Sequence, residues 1–437
     1  MPRPPTPSPA DRARGLAGWI ALAAIVAASW WMAAGAAAHP AFVLVRANHG
    51  GYPAALRGPL EGIGVPLGPG GFVALLLVAS IAYLVVLWAA AALPRRAVFG
   101  AIVAAVLAMT LAPPLLSSDV FNYIGYARLD VLHGLNPYQH ALDAAPSDAA
   151  FAYVGWQHST SAYGPLFTLL TLPLAKLGLT GALWTLKALT AAAALACIAL
   201  AAGCAKRVGR DPLAAALFVG LNPIFLVFAV GGAHNDLLMM ALALAGVYAL
   251  LGRREAVGAA AVTTAAAVKT SAALLAPFAI LGARHRGRAL VAVLAAAATF
   301  ALLALAVFGS HLFSVVRVLG DEAHAGSLHS LPKSIASISG IDIAVLRPLG
   351  TAIALAAIAA LLWQAARDRT AWLGAAAWAT IAVLATTTYM LPWYLIWALP
   401  LAAIAAPPQR GWRLGDQRLW ALALCAFVIA LRIPTIA

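Results

Sequence analysis

A carboxylate at the point where an apolar segment leaves a membrane can serve as a general base. The segment Ser117-Ser118-Asp119-Val120-Phe121-Asn122-Tyr123 places one there, at the end of a long apolar run. Asp119 could take a proton from a substrate hydroxyl, or it could simply cap a helix or sit solvated at the interface. A second group, Gly231-Gly232-Ala233-His234-Asn235-Asp236, opens another apolar run with three polar side chains. A helix N-terminus here would favour an anion such as phosphate, and Asn235 could equally act as its cap. Lys269 stands inside AAAVKTSAALLAP, where an ammonium is costly unless it is paired or reaches a polar cavity. It could hold a phosphate as a point charge or snorkel to the interface.

Aromatic residues gather near these groups. Gly134-Leu135-Asn136-Pro137-Tyr138, then Trp156, then Ala162-Tyr163-Gly164-Pro165-Leu166 lie in one polar stretch, with turns marked by Asn-Pro and Gly-Pro. They could form a stacking platform for a sugar ring or an interfacial aromatic belt. Pro165 suits the first turn of a helix. Arg317, His324, His329 and Lys333 share a later polar stretch, and Tyr389, Trp393 and Tyr394 cluster in TTTYMLPWYLIW. The basic set could stabilise a departing phosphate or be a solvated loop. No second His or Cys near His234 has zinc-ligand spacing.

The elements that must position these groups are apolar helices. Of the 437 residues, 63% are hydrophobic and 10% charged, and the mean hydropathy is +0.91. Apolar runs of about 16–25 residues, near bilayer-crossing length, recur throughout. The expected spans are 16–38, 71–93, 97–116, 181–205, 212–230, 236–252, 256–269, 272–282, 288–308, 344–364, 371–388, 391–406 and 418–435. This predicts an all-α polytopic membrane protein of about 13 transmembrane helices, in which 256–282 could be a re-entrant hairpin. Residues 1–15 are expected to be a disordered, basic cytoplasmic tail, and 16–437 a single transmembrane domain. The run from Leu16 is longer than a signal-peptide core and reads as a signal-anchor.

Orientation follows the basic clusters. With the N-terminus inside, Arg3/Arg12/Arg14, Arg95-Arg96, Lys206-Arg207/Arg210, Arg253-Arg254, Arg284/Arg286/Arg288, Arg367/Arg369 and Arg410/Arg413/Arg418 are cytoplasmic. That holds only if 164–178 lies on the membrane surface without crossing it, and it places the C-terminus outside. Most acids then fall on the outer face: Glu61, Asp119, Asp130, Asp143, Asp148, Asp236, Asp321, Glu322 and Asp342. Two long outer loops follow, 117–163 with its surface helix 164–178, and 309–343. Loops of this length between spans are functional or disordered, and their embedded aromatic and polar residues favour order.

The net charge of +14 reads as this positive-inside bias, which removes the case for nucleic-acid binding. Cys197, Cys204 and Cys425 lie in or beside apolar spans and read as buried thiols. The chain has no Walker-A loop, GxGxxG, HExxH or GxSxG signature, so nucleotide-driven and hydride-transfer chemistry have no support.

Taken in order, Asp119-x-x-x-Tyr123, Gly134-x-Asn136-Pro137-Tyr138, Trp156, Tyr163-Gly164-Pro165-Leu166, His234-Asn235-Asp236, Val268-Lys269 and Pro392-Trp393-Tyr394 resemble bacterial polyprenol-phosphate-mannose-dependent α-1,6-mannosyltransferases. These are membrane glycosyltransferases of GT-C architecture, and the resemblance covers nearly the whole chain. It implies a GT-C-like bundle with short surface helices on its external loops. It also implies inverting transfer of mannose from a polyprenyl-phosphate donor to a glycan or glycolipid acceptor at the outer face of the bacterial cytoplasmic membrane. Asp119 matches the family's catalytic carboxylate. The paired acid of an Asp-x-Asp motif is absent here, and divalent-metal dependence stays open. No cofactor is called for, because the lipid-linked sugar is a substrate.

On this reading Tyr123, Asn136, Tyr138, Trp156 and Tyr163 shape the sugar site. His234 and Lys269, helped by Arg317 or Lys333, hold the phosphate. Asn235, Asp236, Trp393 and Tyr394 complete the surroundings, and membrane lipids flank a groove for the donor's chain. The rival is a secondary transporter of a small polar or anionic solute. Transporters place polar residues at midspan in broken helices, whereas the acids here sit at span ends and in loops.

Overall fold

The computed structural model describes residues 8–39, 52–327, 329–405 and 413–436, which form helices and connecting turns with no strand among them. The first helices are α1 (Pro9–Ala38), α2 (Ala54–Arg57), α3 (Pro69–Ala89) and α4 (Arg95–Leu111). The first polar loop contributes α5 (Asp119–His133) and α6 (Pro165–Thr171). Then come α7 (Gly178–Arg207), α8 (Pro212–Gly220), a π-helical turn at Ile224–Val230, α9 (Asp236–Leu251), α10 (Glu255–Val268), α11 (Leu275–Gly282) and α12 (Arg286–Phe308). The second polar loop carries α13 (Ser314–Ala325) and α14 (Leu331–Ser339). The chain ends with α15 (Ile343–Arg367), α16 (Trp372–Thr386), α17 (Leu399–Ala405) and α18 (Gln417–Ile436).

Among the described residues, six helices are long and apolar enough to cross a bilayer, and α8 with its π-helical continuation, bent by 53°, makes a seventh if the pair counts as one span. The expected spans at 97–116, 236–252, 256–269, 272–282, 371–388 and 391–406 are helices too short to meet that length. Length of an apolar run does not separate the two cases. The long α12 and α15 expose apolar side chains such as Val291, Leu302, Ile353 and Leu355 along their lengths, as lipid-facing helices do. The shorter α9 instead buries most of its surface against α7 and α10. Gly246 of α9 shows how close that packing is: a Cβ there would stand 2.7 Å from the Gly258 carbonyl oxygen. Small residues that let backbones meet are the usual means of helix association in lipid.

One local expectation changes and two others gain detail. Helix α1 begins within the supposed tail, because Ser8 and Asp11 form a capping box and Pro9 stands in the first turn. Residues 1–7, with Arg3, lie outside the described residues, as do Arg410 and linker residues 40–51. The segment 164–178 is helical and runs into α7 as one 43-residue helical stretch, with Gly178 in the left-handed region (φ +69°) at the junction. The pair at 256–282 closes as a hairpin. The Glu255 carboxylate at its start accepts from the His285 N–H beyond its end at 2.9 Å. Lys269 sits at the far tip in extended backbone (φ −149°, ψ 124°). All three cysteines are buried free thiols.

Candidate active site

Asp119 is the first residue of α5, where a carboxylate is favoured by the helix dipole. It is 8% exposed. The Ser117 hydroxyl accepts from its backbone N–H at 3.2 Å. Asn122, one turn on, accepts from the N–H groups of Gly155 and Trp156 at 3.1 and 3.3 Å. That arrangement folds the loop back over α5, so that the Trp156 indole N–H donates to Asp119 Oδ1 at 3.3 Å. On the other side, His234 Nδ1 lies 3.5 Å from Asp119 Oδ2. His234 is wholly buried, its ring stacked 3.6 Å from Trp393, and neither ring nitrogen has a hydrogen-bond partner. Burial works to raise the Asp119 pKa, but neighbouring His234, the Lys269 charge and the Trp156 N–H outweigh it and hold the carboxyl below its ordinary value.

Lys269 is placed by the hairpin tip and held by α9. Its Nζ donates to both oxygens of the buried Asp236, at 2.8 and 2.9 Å. Trp397 Nε1 donates to the same carboxylate at 2.6 Å. The ammonium also lies 4.6 Å from the centre of the Tyr394 ring, which stacks on Trp397. The lysine is therefore a paired cation, and Asp236 is its counter-ion. Asn235 makes no side-chain cap to α9. It bonds Tyr123 instead: the tyrosine hydroxyl lies 3.3 Å from both Asn235 Oδ1 and its backbone N–H.

A cavity of about 200 Å³ joins these groups. Asp119, Trp156, Tyr163, Lys269, Ser271, Leu319, Thr387, Tyr389, Tyr394 and Trp397 are among its walls. Gly164 makes the junction possible. Its N–H donates to the Val268 carbonyl at 3.1 Å, and a Cβ there would stand 2.2 Å from the Ala267 oxygen. Through Ser271 and Trp397 the cavity adjoins an apolar one of about 120 Å³, lined by Met239, Met240, Leu274, Leu275, Val383 and Leu401.

Thus Asp119, Trp156, Tyr163, Lys269 and Tyr394 meet at one cavity, with His234, Asp236 and Trp393 directly behind it. Other expected site residues take framework positions. Tyr138 is buried, donating to the Tyr163 carbonyl at 2.8 Å and packing on Phe308. Asn136 donates to the Phe308 carbonyl and accepts from the Tyr138 N–H. Tyr123 is buried behind Tyr163 and Phe167. Arg317 is exposed, and neither it nor Lys333 lines the cavity, to which α13 contributes Leu319. Asp148, one of the expected outer-face acids, pairs with Arg128 and His133 at 2.8 and 2.9 Å and so staples the first loop.

Two important residues are missing from the expected set. Trp397 follows Tyr394 by three residues, one turn of the short helix Pro392–Trp397. Lys187 sits within the apolar α7, where the argument applied to Lys269 holds equally.

The second loop docks beside the site, the Ser327 N–H donating to the Thr388 carbonyl at 2.8 Å. There His329 is buried with both ring nitrogens unpartnered. Burial, with the Arg432 charge adding, pushes its imidazole down to about 4 from 6.5. Between those values the unfolded chain binds more protons than the folded one, so stability falls as pH falls. Melting temperature should drop from pH 6.5 toward pH 4 in a detergent-solubilised thermal melt. His329→Leu should flatten that part of the drop and leave stability above pH 7 changed by comparison little with pH.

The chain is an all-α polytopic membrane protein with a carboxylate and a paired ammonium facing one cavity. The family model described as alpha-(1->6)-mannopyranosyltransferase, N-terminal domain, matches residues 15–285, and the MptB C-terminal domain model matches residues 323–435. The chain belongs to this alpha-(1->6)-mannopyranosyltransferase family. It is 27% identical over 333 residues to alpha-(1->6)-mannopyranosyltransferase A of Mycobacterium tuberculosis, covering 69% of this chain and 64% of that protein. It is 27% identical over 191 residues to alpha-(1->6)-mannopyranosyltransferase A of Corynebacterium glutamicum, covering 42% of this chain and 38% of that one. The chain thus spans less than two thirds of the length of these relatives. No solved structure matches it.

Proposed function

We propose that this protein is a GT-C membrane glycosyltransferase that moves mannose, with inversion, from a polyprenyl-phosphate donor to a glycan or glycolipid acceptor. The observation that carries the reading is the placement of two opposite functional groups across one cavity: the Asp119 carboxyl group at one wall and the Lys269 amine at another. The names of the relatives support the sugar and the bond. The acceptor hydroxyl oxygen attacks the anomeric carbon opposite the phosphate, and Asp119 accepts its proton. The bond from the anomeric carbon to the phosphate oxygen breaks, and the electron pair leaves with the polyprenyl phosphate. Lys269 has three N–H donors, two of them directed to Asp236, which leaves one for that phosphate. Trp156, Tyr163 and Tyr394 provide ring faces for the sugar, and the adjoining apolar cavity takes the first part of the lipid chain.

The proposed setting is a bacterial cytoplasmic membrane, with the N-terminus inside and the cavity opening outward. The thirteen apolar helical segments would be embedded together, the short ones inside the long ones. The 164–178 segment would lie at the outer surface, and no cofactor beyond the donor would be needed. In proteoliposomes, the purified protein should transfer radiolabelled mannose from polyprenyl-phosphate mannose to a short mannoside acceptor. GDP-mannose should not replace that donor. Transfer from GDP-mannose alone, with none from the lipid donor, would end the reading.

A further inference from the structure

Lys187 lies in the N-terminal third of α7 (Gly178–Arg207) and is 1% exposed. An ammonium inside a membrane helix is costly, and such groups persist where they do work. This one bridges two segments. Its Nζ donates to the Met109 carbonyl near the C-terminus of α4 at 2.7 Å and to the Gly231 carbonyl at 3.0 Å. The Gly231 carbonyl also accepts from the Leu115 N–H at 3.0 Å. One oxygen therefore ties α7, the chain leaving α4 and the chain entering α9.

Both tied segments then turn through left-handed backbone at a non-glycine residue. Leu116 has φ +58° and lies three residues before Asp119. Ala233 has φ +56° and immediately precedes His234. Side chains make this conformation unfavourable, and it persists where the surroundings hold it. The lysine sits where the two turns are joined, and the turns aim the two side chains that meet at 3.5 Å.

We propose that Lys187 is a positioning residue that clamps both turns, setting the Asp119 carboxylate against His234 and into the cavity. The proposal rests on reading Asp119 as the base. A lysine that merely satisfied two carbonyls would affect stability alone. A clamp affects turnover, because a misplaced base costs rate without loosening the donor's grip.

Lys187→Met and Lys187→Gln should be compared with wild type and Asp119→Asn in proteoliposomes supplied with polyprenyl-phosphate mannose. Lys187→Met should lower kcat about 10²-fold, the scale of a misplaced catalytic group, with donor KM unchanged within about threefold. The acid limb of its pH profile should move upward as the carboxylate loses its neighbour. Lys187→Gln retains N–H donors and should recover part of the rate. Independently of any substrate, hydrogen exchange across 112–119 and 229–236 should rise in Lys187→Met. Unchanged exchange in those turns, a loss confined to KM, or wild-type kcat in both Lys187 variants beside an inactive Asp119→Asn would overturn the clamp. Failure of both variants to accumulate folded would make Lys187 a folding residue and also overturn it. An active Asp119→Asn would instead remove the base reading, whatever the Lys187 variants do.

Discussion

Asp119→Asn should abolish most sugar transfer while leaving the fold intact. Asparagine keeps the shape of the side chain and an acceptor oxygen for the Trp156 indole N–H, which now stands 3.3 Å from Oδ1. It removes the capacity to take a proton. General-base catalysis contributes typically about 10²–10⁴-fold, and kcat should fall by that order with donor KM little changed. The dependence on pH gives a second check. Although burial opposes it, His234, Lys269 and Trp156 hold the Asp119 carboxyl below its ordinary value. The base is therefore ionised through the neutral range, and activity should fail only on the acid side, below the usual carboxylate range. Removing the Lys269 charge destabilises the carboxylate, so the acid limb should shift to higher pH in Lys269→Met. An Asp119→Asn enzyme working within a few-fold of wild type would show that the proton goes elsewhere.

How far the site could be read in the sequence depended on what kind of fact was asked. Asp119 and Lys269 were legible because ionisable groups at membrane depth are expensive whatever the tertiary structure. Their partners were less so. Nothing in local sequence distinguishes Tyr163, which faces the cavity, from Tyr138, which props the Tyr163 carbonyl from behind. Both are loop tyrosines beside proline turns, and only packing decides which ring stays open. The same limit hid the role of Asp236, whose carboxylate is consumed by Lys269 and Trp397, residues 33 and 161 positions away. For the fold, the all-α character followed from composition. The span lengths did not, because an Ala-rich helix embedded among neighbours and one facing lipid have similar apolar runs.

The Lys269–Asp236 pair should show a marked asymmetry on removal of one partner. Asp236 is wholly buried, while the Lys269 side chain keeps 15% exposure toward the cavity. Lys269→Met leaves a carboxylate with no cation in a dry site, and the Trp397 N–H alone does not neutralise it. Breaking a buried pair in this way costs about 3–5 kcal/mol. Asp236→Asn leaves the lysine, whose head can turn to water in the cavity and stay over the Tyr394 ring, so it should cost distinctly less. The double variant Lys269→Met/Asp236→Asn removes the stranded charge, and its melting temperature should rise above that of Lys269→Met alone. Turnover should not follow stability. The double variant regains its fold but still lacks the donor aimed at the departing phosphate, whose loss costs about 10²–10³-fold in kcat by analogy with an oxyanion-hole donor. Thermal melts and donor kinetics on all three proteins separate the two roles. Equal destabilisation by the two single changes would show that the lysine is as enclosed as its partner, and recovery of turnover in the double variant would remove Lys269 from the phosphate site.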